Sequence, residues 1–322
     1  MKLAIIGATG KVGRMMQTCL QENNIHFDEL GLYASANSSG EKINFMDKDY
    51  VVQETTPDIF KKRYDFVLFS AGGSVAKEYA RYAVENGSVV VDNSSAFRKD
   101  ENIPLVVPEI NGYLLKNYKG IIANPNCSTI QLVLLLHPLH KYTPIKKVVV
   151  TTMQSVSGSG YKGVMEMHQQ RTGNSTNKLY PKKIDLNVIP QIGDINENSG
   201  YCEEESKMTF ETKKILNDVN FNLIATTVRV PVVYGHSESV YIEFSDKVDI
   251  HEITGILSKS EGVDYSLNYM TPLEIGESDL SHVSRVRYAG DERSILLWNV
   301  AHNIRLGAAT NAVKIVKFKI EN

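Results

Sequence analysis

The run Asn124-Pro125-Asn126-Cys127-Ser128-Thr129 places a thiol where it could react. Asn-Pro-Asn is turn-forming and stops the apolar strand pattern Gly120-Ile121-Ile122-Ala123. Ile130-Gln131-Leu132-Val133-Leu134-Leu135-Leu136 then reads as a buried helix. Cys127 therefore falls at a strand-to-helix junction, near a helix N-terminus, where backbone N–H groups and the helix dipole favour an anion. Such a setting can turn a thiol into a thiolate near neutral pH. Local sequence leaves two readings open: a nucleophile for acyl transfer, or a cysteine packed as a small hydrophobe.

A second chemistry opens the chain. Leu3–Ile6 is a short apolar strand, Gly7-Ala8-Thr9-Gly10-Lys11-Val12-Gly13 follows, and a helical pattern runs to about Gln21. Strand, glycine turn and helix in this order is a G-x-x-G-x-x-G variant of the dinucleotide fingerprint. The glycines permit the tight turn and let a pyrophosphate approach the helix N-terminus. Gly7, Thr9, Gly10, Lys11, Val12 and Gly13 are expected to line that cofactor. The next strand, about Glu29 to Ala34, ends in Ser35-Ala36-Asn37-Ser38-Ser39-Gly40. An acid here would hold a ribose 2′-OH and repel a 2′-phosphate. Ser35, Asn37 and Ser38 offer hydroxyl and amide groups instead, which favours NADP, although no arginine is present locally to grip the phosphate.

The elements that must position these groups alternate. Tyr64–Ser70 is a strand leading through Ala71-Gly72-Gly73-Ser74 into a helix that ends near Asn86-Gly87, and Ser88–Asp92 is a strand closed by Asn93-Ser94-Ser95. Alternation of this kind implies a doubly wound parallel sheet, which binds ligands past the carboxyl ends of its strands. Gly72, Gly73, Asn93, Arg98 and Cys127 all fall just past such ends. From about Lys146 the pattern changes. Lys147–Gln154 is a strand entering Ser155-Val156-Ser157-Gly158-Ser159-Gly160, polar turn-rich sequence runs from Arg171 to Ser206, and Leu223–Val233 is a strand ending in Tyr234-Gly235-His236-Ser237. Ser239–Phe244 and a helix near Ile250–Ser260 follow. Hairpin-like strands with few crossover helices suggest an α+β domain on a largely antiparallel sheet. The Ala-rich helical segment from Asn303 to about Val316 is expected to return to the first domain. The fold class is thus α/β, with a Rossmann-like domain over 1–126 and 304–322 and a second domain over 127–303.

Composition bounds the partners. The chain has 322 residues, 42% hydrophobic and 22% charged, with net charge -2 and no dense basic run, which argues against nucleic acid. No apolar stretch approaches the roughly 20 residues that span a bilayer. The strand at Met1–Ile6 leaves no room for a signal peptide. Cys19, Cys127 and Cys202 have neither a disulfide framework nor metal-ligand spacing and suit a reducing cytoplasm.

Several motifs stand in one order: Gly-Ala-Thr-Gly-Lys-Val-Gly at 7–13, Asn-Ser-Ser-Ala-Phe-Arg at 93–98, Val-Pro-Glu-Ile-Asn at 107–111 and Asn-Pro-Asn-Cys-Ser-Thr at 124–129. Gln154 with Ser-Gly-Ser-Gly at 157–160, Arg-Val-Pro-Val at 229–232, Gly-His-Ser at 235–237 and Asn-Ile-Arg-Leu-Gly-Ala-Ala-Thr-Asn-Ala at 303–312 complete the set. The chain resembles the bacterial aspartate-β-semialdehyde dehydrogenases over essentially its whole length. The resemblance implies reversible, NADP-dependent reductive dephosphorylation of L-aspartyl-4-phosphate to the semialdehyde through a cysteine thioester. That step leads to lysine, methionine, threonine and diaminopimelate. It implies Cys127 as nucleophile, His236 as acid/base and Gln154 as the group orienting the acyl intermediate. Arg229 would bind the substrate carboxylate, Arg98 and Lys207 the phosphate, and Glu204 the amino group, with Asn126 beside the substrate. Glu203 and Glu205 flank Glu204, and Ser206 replaces the usual aromatic before Lys207. Ser157, Gly158 and Asn303 would meet the cofactor. Relatives often carry arginine where Asn37 stands, so NAD is a possible cofactor beside NADP. No metal is implied, the partners are small molecules, and the assembly is a homodimer or a dimer of dimers in the cytoplasm. The competing readings are N-acetylglutamyl-phosphate reductase and a non-catalytic nucleotide-binding paralogue. Acetylation removes the amine charge that Glu204 would answer, and a non-catalytic chain should have lost Cys127 or His236.

Overall fold

The structure is a computed structural model and describes residues 1–173 and 178–322. Part of the polar run expected between Arg171 and Ser206, residues 174–177, lies outside the described residues. The chain divides into two compact units: Met1–Asn126 with Ala308–Asn322, and Cys127–Gly307.

In the N-terminal unit, β1 (Lys2–Ile6), β2 (Glu29–Ala34), β3 (Lys42–Phe45), β4 (Lys48–Val51), β5 (Gln53–Glu54), β6 (Phe66–Phe69), β7 (Val89–Asp92) and β8 (Ile121–Ala123) follow one another along the chain. Six of them form one parallel sheet in the order β5-β2-β1-β6-β7-β8, and β3 and β4 form a separate antiparallel hairpin. The chain runs outward from β1 to one edge and then from β6 to the other. This is the doubly wound order with the hairpin inserted before its third strand. Its central strands are mostly apolar because helices cover both faces, whereas the edge strand β5 is polar and exposed. Leu3, Ile5, Leu68 and Val91 pack on one side with Met16 and Leu20 of α1 (Lys11–Glu22). Ala4, Ile6, Val67 and Val90 pack on the other with Ala76, Ala80 and Ala83 of α2 (Gly73–Glu85).

Two of the diagnostic motifs turn out to be structural in this unit. The short helix α3 (Pro108–Asn111) carries Glu109, which pairs with Lys314 of the C-terminal helix Asn311–Glu321 at 2.5 Å. Asn311 donates to the Val106 carbonyl at 2.9 Å and to Asn124 Oδ1 at 2.6 Å, and Asn124 Nδ2 donates to the Ala308 carbonyl at 3.2 Å. The last segment of the chain thereby holds the loop that leads to Cys127.

The C-terminal unit is built on β9 (Ile145–Ser155), β10 (Asn222–Val230), β11 (His236–Phe244), β12 (Val263–Tyr265), β13 (Ser281–Tyr288) and β14 (Ser294–Ala301), in the order β10-β9-β11-β14-β13-β12. The sheet is mixed: β9–β11, β11–β14 and β13–β14 are antiparallel, and β9–β10 and β12–β13 parallel. Helix α4 (Cys127–Tyr142) is apolar nearly all round and buried over most of its length, which places it against the sheet rather than at the surface. Helices α5 (Gly160–Arg171), α6 (Glu203–Leu216) and α7 (Ile250–Leu257) complete the unit. The first residues of helix α6 fall in the run to Ser206 that the sequence pattern reads as polar turns. Its start is set by a capping box in which Glu205 Oε2 accepts the Cys202 N–H at 2.8 Å, a cap whose cysteine is not among the usual capping residues.

Candidate active site

The side chains singled out in the C-terminal unit lie on one face of its sheet, and strand register explains why. Arg229 on β10 stands opposite Gln154 on β9. Ser237 pairs with Met153, so His236 at the start of β11 comes beside Gln154 on the third strand. Partners in register point to the same side of a sheet. Three residues far apart in sequence thus become one row.

The row is tied together closely. Arg229 Nη1 donates to the Ser155 carbonyl at 2.7 Å, and the Ser155 N–H donates to His236 Nδ1 at 3.0 Å. Gln154 Nε2 donates to Glu204 Oε1 at 3.2 Å, and Glu204 Oε2 lies 3.8 Å from Lys207 Nζ. This separates the three consecutive acids. Glu205 caps α6 and also accepts the Thr227 N–H at 3.0 Å; Glu203 is half exposed and reaches only Lys207; Glu204 is buried against Gln154. Gly158 closes the row from above. A Cβ there would stand 2.9 Å from Arg229 Nη1 and 3.3 Å from His236 Nε2, so the backbone approaches where no side chain could. A cavity of about 480 Å³ opens beside Arg229, walled by Ser159, Tyr180, Ile192 and Gly193 among others.

His236 is fully buried, and that burial, followed by the Arg229 charge, holds its imidazole well below the usual histidine range. The ring is neutral at neutral pH. Because Nδ1 accepts the Ser155 N–H, the neutral ring carries its proton on Nε2, and Nε2 is buried with no protein partner. The ring is thereby set to donate from Nε2. Asn303, expected at a cofactor, has both ends of its amide engaged within this unit. Its Oδ1 accepts from Gly235 N–H at 3.0 Å and from the Ser155 and Ser157 hydroxyls at 3.2 and 3.3 Å, and its Nδ2 donates to Ser157 Oγ at 3.0 Å.

Cys127 is the first residue of α4 and half-buried. The first-turn N–H groups of a 16-residue helix therefore surround it. Gly307 packs against its Cβ. One turn further along α4, Gln131 Nε2 donates to the His236 carbonyl at 3.3 Å, so the first turns of the cysteine helix are bonded to the strand of the histidine.

In the N-terminal unit, the nucleotide candidates gather at the carboxyl ends of β1, β2, β6 and β7. Gly7 has φ +83°, and a Cβ on it would meet the Ser70 carbonyl oxygen at 2.6 Å; one on Gly13 would meet the Gly7 oxygen at 2.2 Å. Only glycine fits either place. Gln17 Nε2 braces the turn through the Ala8 and Gly13 carbonyls. Thr9, Gly10, Lys11 and Val12 complete the turn into α1, and Gly72, with φ +88°, precedes α2. Ser35 and Asn37 are exposed just past β2 and Ser38 is half-buried there. After β7, buried Asp92 accepts from the Ser94 N–H at 3.0 Å and the Ser94 hydroxyl at 2.7 Å, shaping the loop in which Arg98 Nη2 donates to the Asn93 carbonyl at 2.8 Å. Both polar atoms of the Asn93 amide are buried without a protein partner. Asn126 is buried at the end of this unit's first segment.

Sequence reasoning missed Ser155, Gln131, Glu238 and Asn299. Ser155 could have been flagged by its place between Gln154 and the serine–glycine loop. Glu238 and Asn299 come together only through register, and Gln131 only through the packing of α4 on the sheet.

Two family models match the chain: the semialdehyde dehydrogenase NAD binding domain over residues 2–118 and the semialdehyde dehydrogenase dimerisation domain over residues 136–306. The chain is 43% identical to the aspartate-semialdehyde dehydrogenase of Aquifex aeolicus over 99% of its own length and 98% of that protein's. The chain belongs to the aspartate-semialdehyde dehydrogenase family. The enzyme of that name from Bacillus subtilis is 42% identical over 98% of this chain and 96% of its own. The crystal structure of aspartate semialdehyde dehydrogenase II complexed with ASA from Vibrio cholerae matches with a TM-score of 0.96 at 39% identity, covering 100% of this chain and 98% of that one. The enzyme from Candida albicans, solved with NADP, matches with a TM-score of 0.75 at 25% identity over 98% of this chain and 97% of that one. Among the described residues of this family member, no helix is long and apolar enough to cross a membrane.

Proposed function

We propose that this chain catalyses the reversible, phosphorylating oxidation of L-aspartate-4-semialdehyde with NADP, a step in the supply of lysine, methionine, threonine and diaminopimelate. The observation that carries the reading is the row Arg229–Gln154–His236 with Glu204 beside it. It offers a guanidinium for a carboxylate, a carboxylate for an amine and a donor for a developing oxyanion, all on one sheet face. N-acetylglutamyl phosphate has no charged amine to answer Glu204, and this disfavours the nearest alternative substrate.

Cys127 enters as thiolate, stabilised by the N-terminus of α4. Its sulfur adds to the acyl-phosphate carbonyl; the C–S bond forms, the C–O bond to phosphate breaks, and Lys207 is the cation of this unit that would steady the leaving group. Arg98 is proposed as a phosphate ligand on the family motif. Gln154 orients the thioester. Reduction at the thioester carbon leaves an oxyanion that the Nε2–H of His236 can hold, and its collapse releases aldehyde and returns the thiolate. No proton has to pass through His236 in either direction, so a neutral imidazole suffices.

The N-terminal unit fits a nicotinamide dinucleotide: a pyrophosphate on the Gly7–Gly13 turn, and a ligand amide or hydroxyl against the orphaned Asn93 side chain. When bound, the nicotinamide supplies or accepts the hydride. The absence of an acid at Ser35 favours NADP, and Asn37 leaves room for NAD. The sheet face opposite the catalytic row carries half-buried Val149, Met153, Ile224, Tyr241, Leu296 and Trp298, and we infer that a second copy of the chain covers it. Steady-state turnover of aspartate semialdehyde with phosphate, with NADP against NAD and with N-acetylglutamate semialdehyde as competitor substrate, tests the reading. Preference for the acetylated aldehyde, or no turnover of either, would overturn it.

A further inference from the structure

Two stretches of chain wall the cavity beside Arg229, and they are held by different means. Residues 191–194 form one. The Glu204 N–H donates to the Ile192 carbonyl at 3.2 Å and the Glu203 N–H to the Asp194 carbonyl at 2.9 Å, which ties this wall to the start of α6. Just before it, Ile189 exchanges backbone hydrogen bonds with Arg229 at 3.0 and 2.8 Å, which ties it to β10. Residues 178–181 form the other wall. They belong to no helix or strand, so their N–H groups need partners from elsewhere.

One carboxylate supplies those partners. Glu166 Oε2 accepts the Lys178 N–H at 3.0 Å and the Leu179 N–H at 2.7 Å, and Oε1 accepts the Tyr180 N–H at 3.2 Å. Glu166 is 6% exposed, and among the described residues no cation pairs with it. A buried carboxylate without a cation is costly unless hydrogen bonds satisfy it. Here the wall provides three, each charge-assisted. One turn further along the same face of α5, Gln170 Oε1 accepts the Ile184 and Asp185 N–H groups at 2.9 and 3.1 Å. The Tyr180 hydroxyl adds a bond to the Val156 carbonyl at 3.4 Å, and Val156, Val164, Met167, Tyr180, Ile184 and Ile189 pack as a small separate core. Helix α5 starts at Gly160, directly after the serine–glycine loop, so the helix that continues this loop also carries the wall.

We propose that Glu166 is a positioning residue for substrate binding, holding residues 178–181 as a wall of the cavity in which Arg229 takes the substrate carboxylate. The assignment rests on the reading of Arg229 given above. Glu166 does not itself line the cavity and acts through the three N–H groups it gathers. Removing its carboxylate strands all three at once, and they reach water only if the wall moves. Arg229 is held independently, by the Ser155 carbonyl and by Ile189. The defect therefore falls on substrate binding, while Cys127, Gln154 and His236 keep their places. An amide at this position is a graded perturbation. Glu166→Gln keeps one carbonyl oxygen for the Lys178 and Leu179 N–H groups but turns an NH2 toward the Tyr180 N–H, donor against donor.

Hydrogen exchange of the full chain, resolved by mass spectrometry at residues 178–180, tests the clamp without any assumption about activity. Exchange at all three amides is expected to be at least about tenfold faster in Glu166→Ala than in the wild type, and in Glu166→Gln faster at Tyr180 alone. Unchanged exchange in a folded variant overturns the proposal. Steady-state kinetics read the consequence. KM for aspartate semialdehyde is expected to rise roughly tenfold in Glu166→Ala and about threefold in Glu166→Gln, with kcat within about twofold of the wild type. NADP affinity, measured by calorimetry, should be unchanged in both. A fall in kcat as large as the rise in KM, or a Glu166→Gln enzyme as impaired as Glu166→Ala, would make Glu166 a general structural residue and sink the positioning role. If Glu166→Ala does not fold, Glu166→Gln decides by itself on the same two readings. Wild-type protein inactive on aspartate semialdehyde would instead sink the functional reading and leave the exchange result standing.

Discussion

The two units prepare for chemistry by different means. The N-terminal unit relies on main chain: a turn that admits only glycine at Gly7 and Gly13, and loops presented past the ends of a parallel sheet. The C-terminal unit relies on side chains at chosen register positions of a mixed sheet, where Arg229, Gln154 and His236 meet from three strands. A backbone site is written in short contiguous motifs. A register site is scattered along the chain and exists only after the strands pair. Substitutions should therefore fail differently in the two units.

The largest effect belongs to the C-terminal unit. Cys127→Ala is expected to lower kcat by more than about a thousandfold, because no other group can form the thioester. Binding of NADP, followed by fluorescence or calorimetry, should be unchanged. Near-normal turnover would exclude the covalent route. Arg229→Lys should follow, with kcat/KM for the amino-acid substrate down by roughly a hundredfold, since a lysine cannot grip a carboxylate in a bidentate manner or reach the Ser155 carbonyl in the same way. Equal loss of cofactor affinity would make Arg229 a structural residue.

Gly13→Ala inverts the pattern. The added methyl would stand 2.2 Å from the Gly7 oxygen, so the turn must open. Cofactor affinity should fall by roughly tenfold or more, together with the melting temperature. Reactivity of Cys127 toward iodoacetamide should stay as in the wild type. A parallel loss of thiol reactivity would show that the two kinds of site are not independent.

How much was legible follows the same divide. The parallel sheet, its glycine turn and the half-chain of alternating elements could be read from local patterns, because each is specified within about thirty residues. Helix α6 could not: Glu203–Leu216 is polar, starts on an unusual cysteine cap, and is set by packing and by the Glu205 bonds to Cys202 and Thr227. The family motifs named Arg229 and His236, but nothing in the spacing placed either beside Gln154. The protonation of His236 was hidden too, since a free histidine and a buried one are the same letter. Asn303 shows the converse, a motif residue whose amide is engaged by Gly235, Ser155 and Ser157.

Burial of neutral His236 also has a thermodynamic signature. Its folded pKa lies well below the unfolded value of about 6.5, so the unfolded chain takes up a proton that the fold does not as pH drops below that value. Stability contributed by this residue is present above about pH 6.5 and is lost toward acid, with a limiting slope of about 1.4 kcal/mol per pH unit. His236→Gln should remove that slope, read as the difference between the two proteins' thermal unfolding across the acid range. Identical profiles would mean that the ring is charged or solvated in the native state.

The smallest effect tests the N-terminal unit where its backbone logic gives way to a side chain. The loop after β2 presents Ser35 and Asn37 in exposed positions, with no acid and no arginine among residues 35–40. Asn37→Arg adds one cation within reach of a 2′-phosphate at a solvent-exposed place, where a single charge-assisted contact is worth about 1 kcal/mol. The NADP-to-NAD ratio of kcat/KM should rise by roughly fivefold. Ser35→Asp should lower the same ratio by a similar factor through repulsion. Neither change should alter kcat with saturating cofactor, because the row on the C-terminal sheet is untouched. A ratio indifferent to both substitutions would place the 2′-phosphate away from this loop.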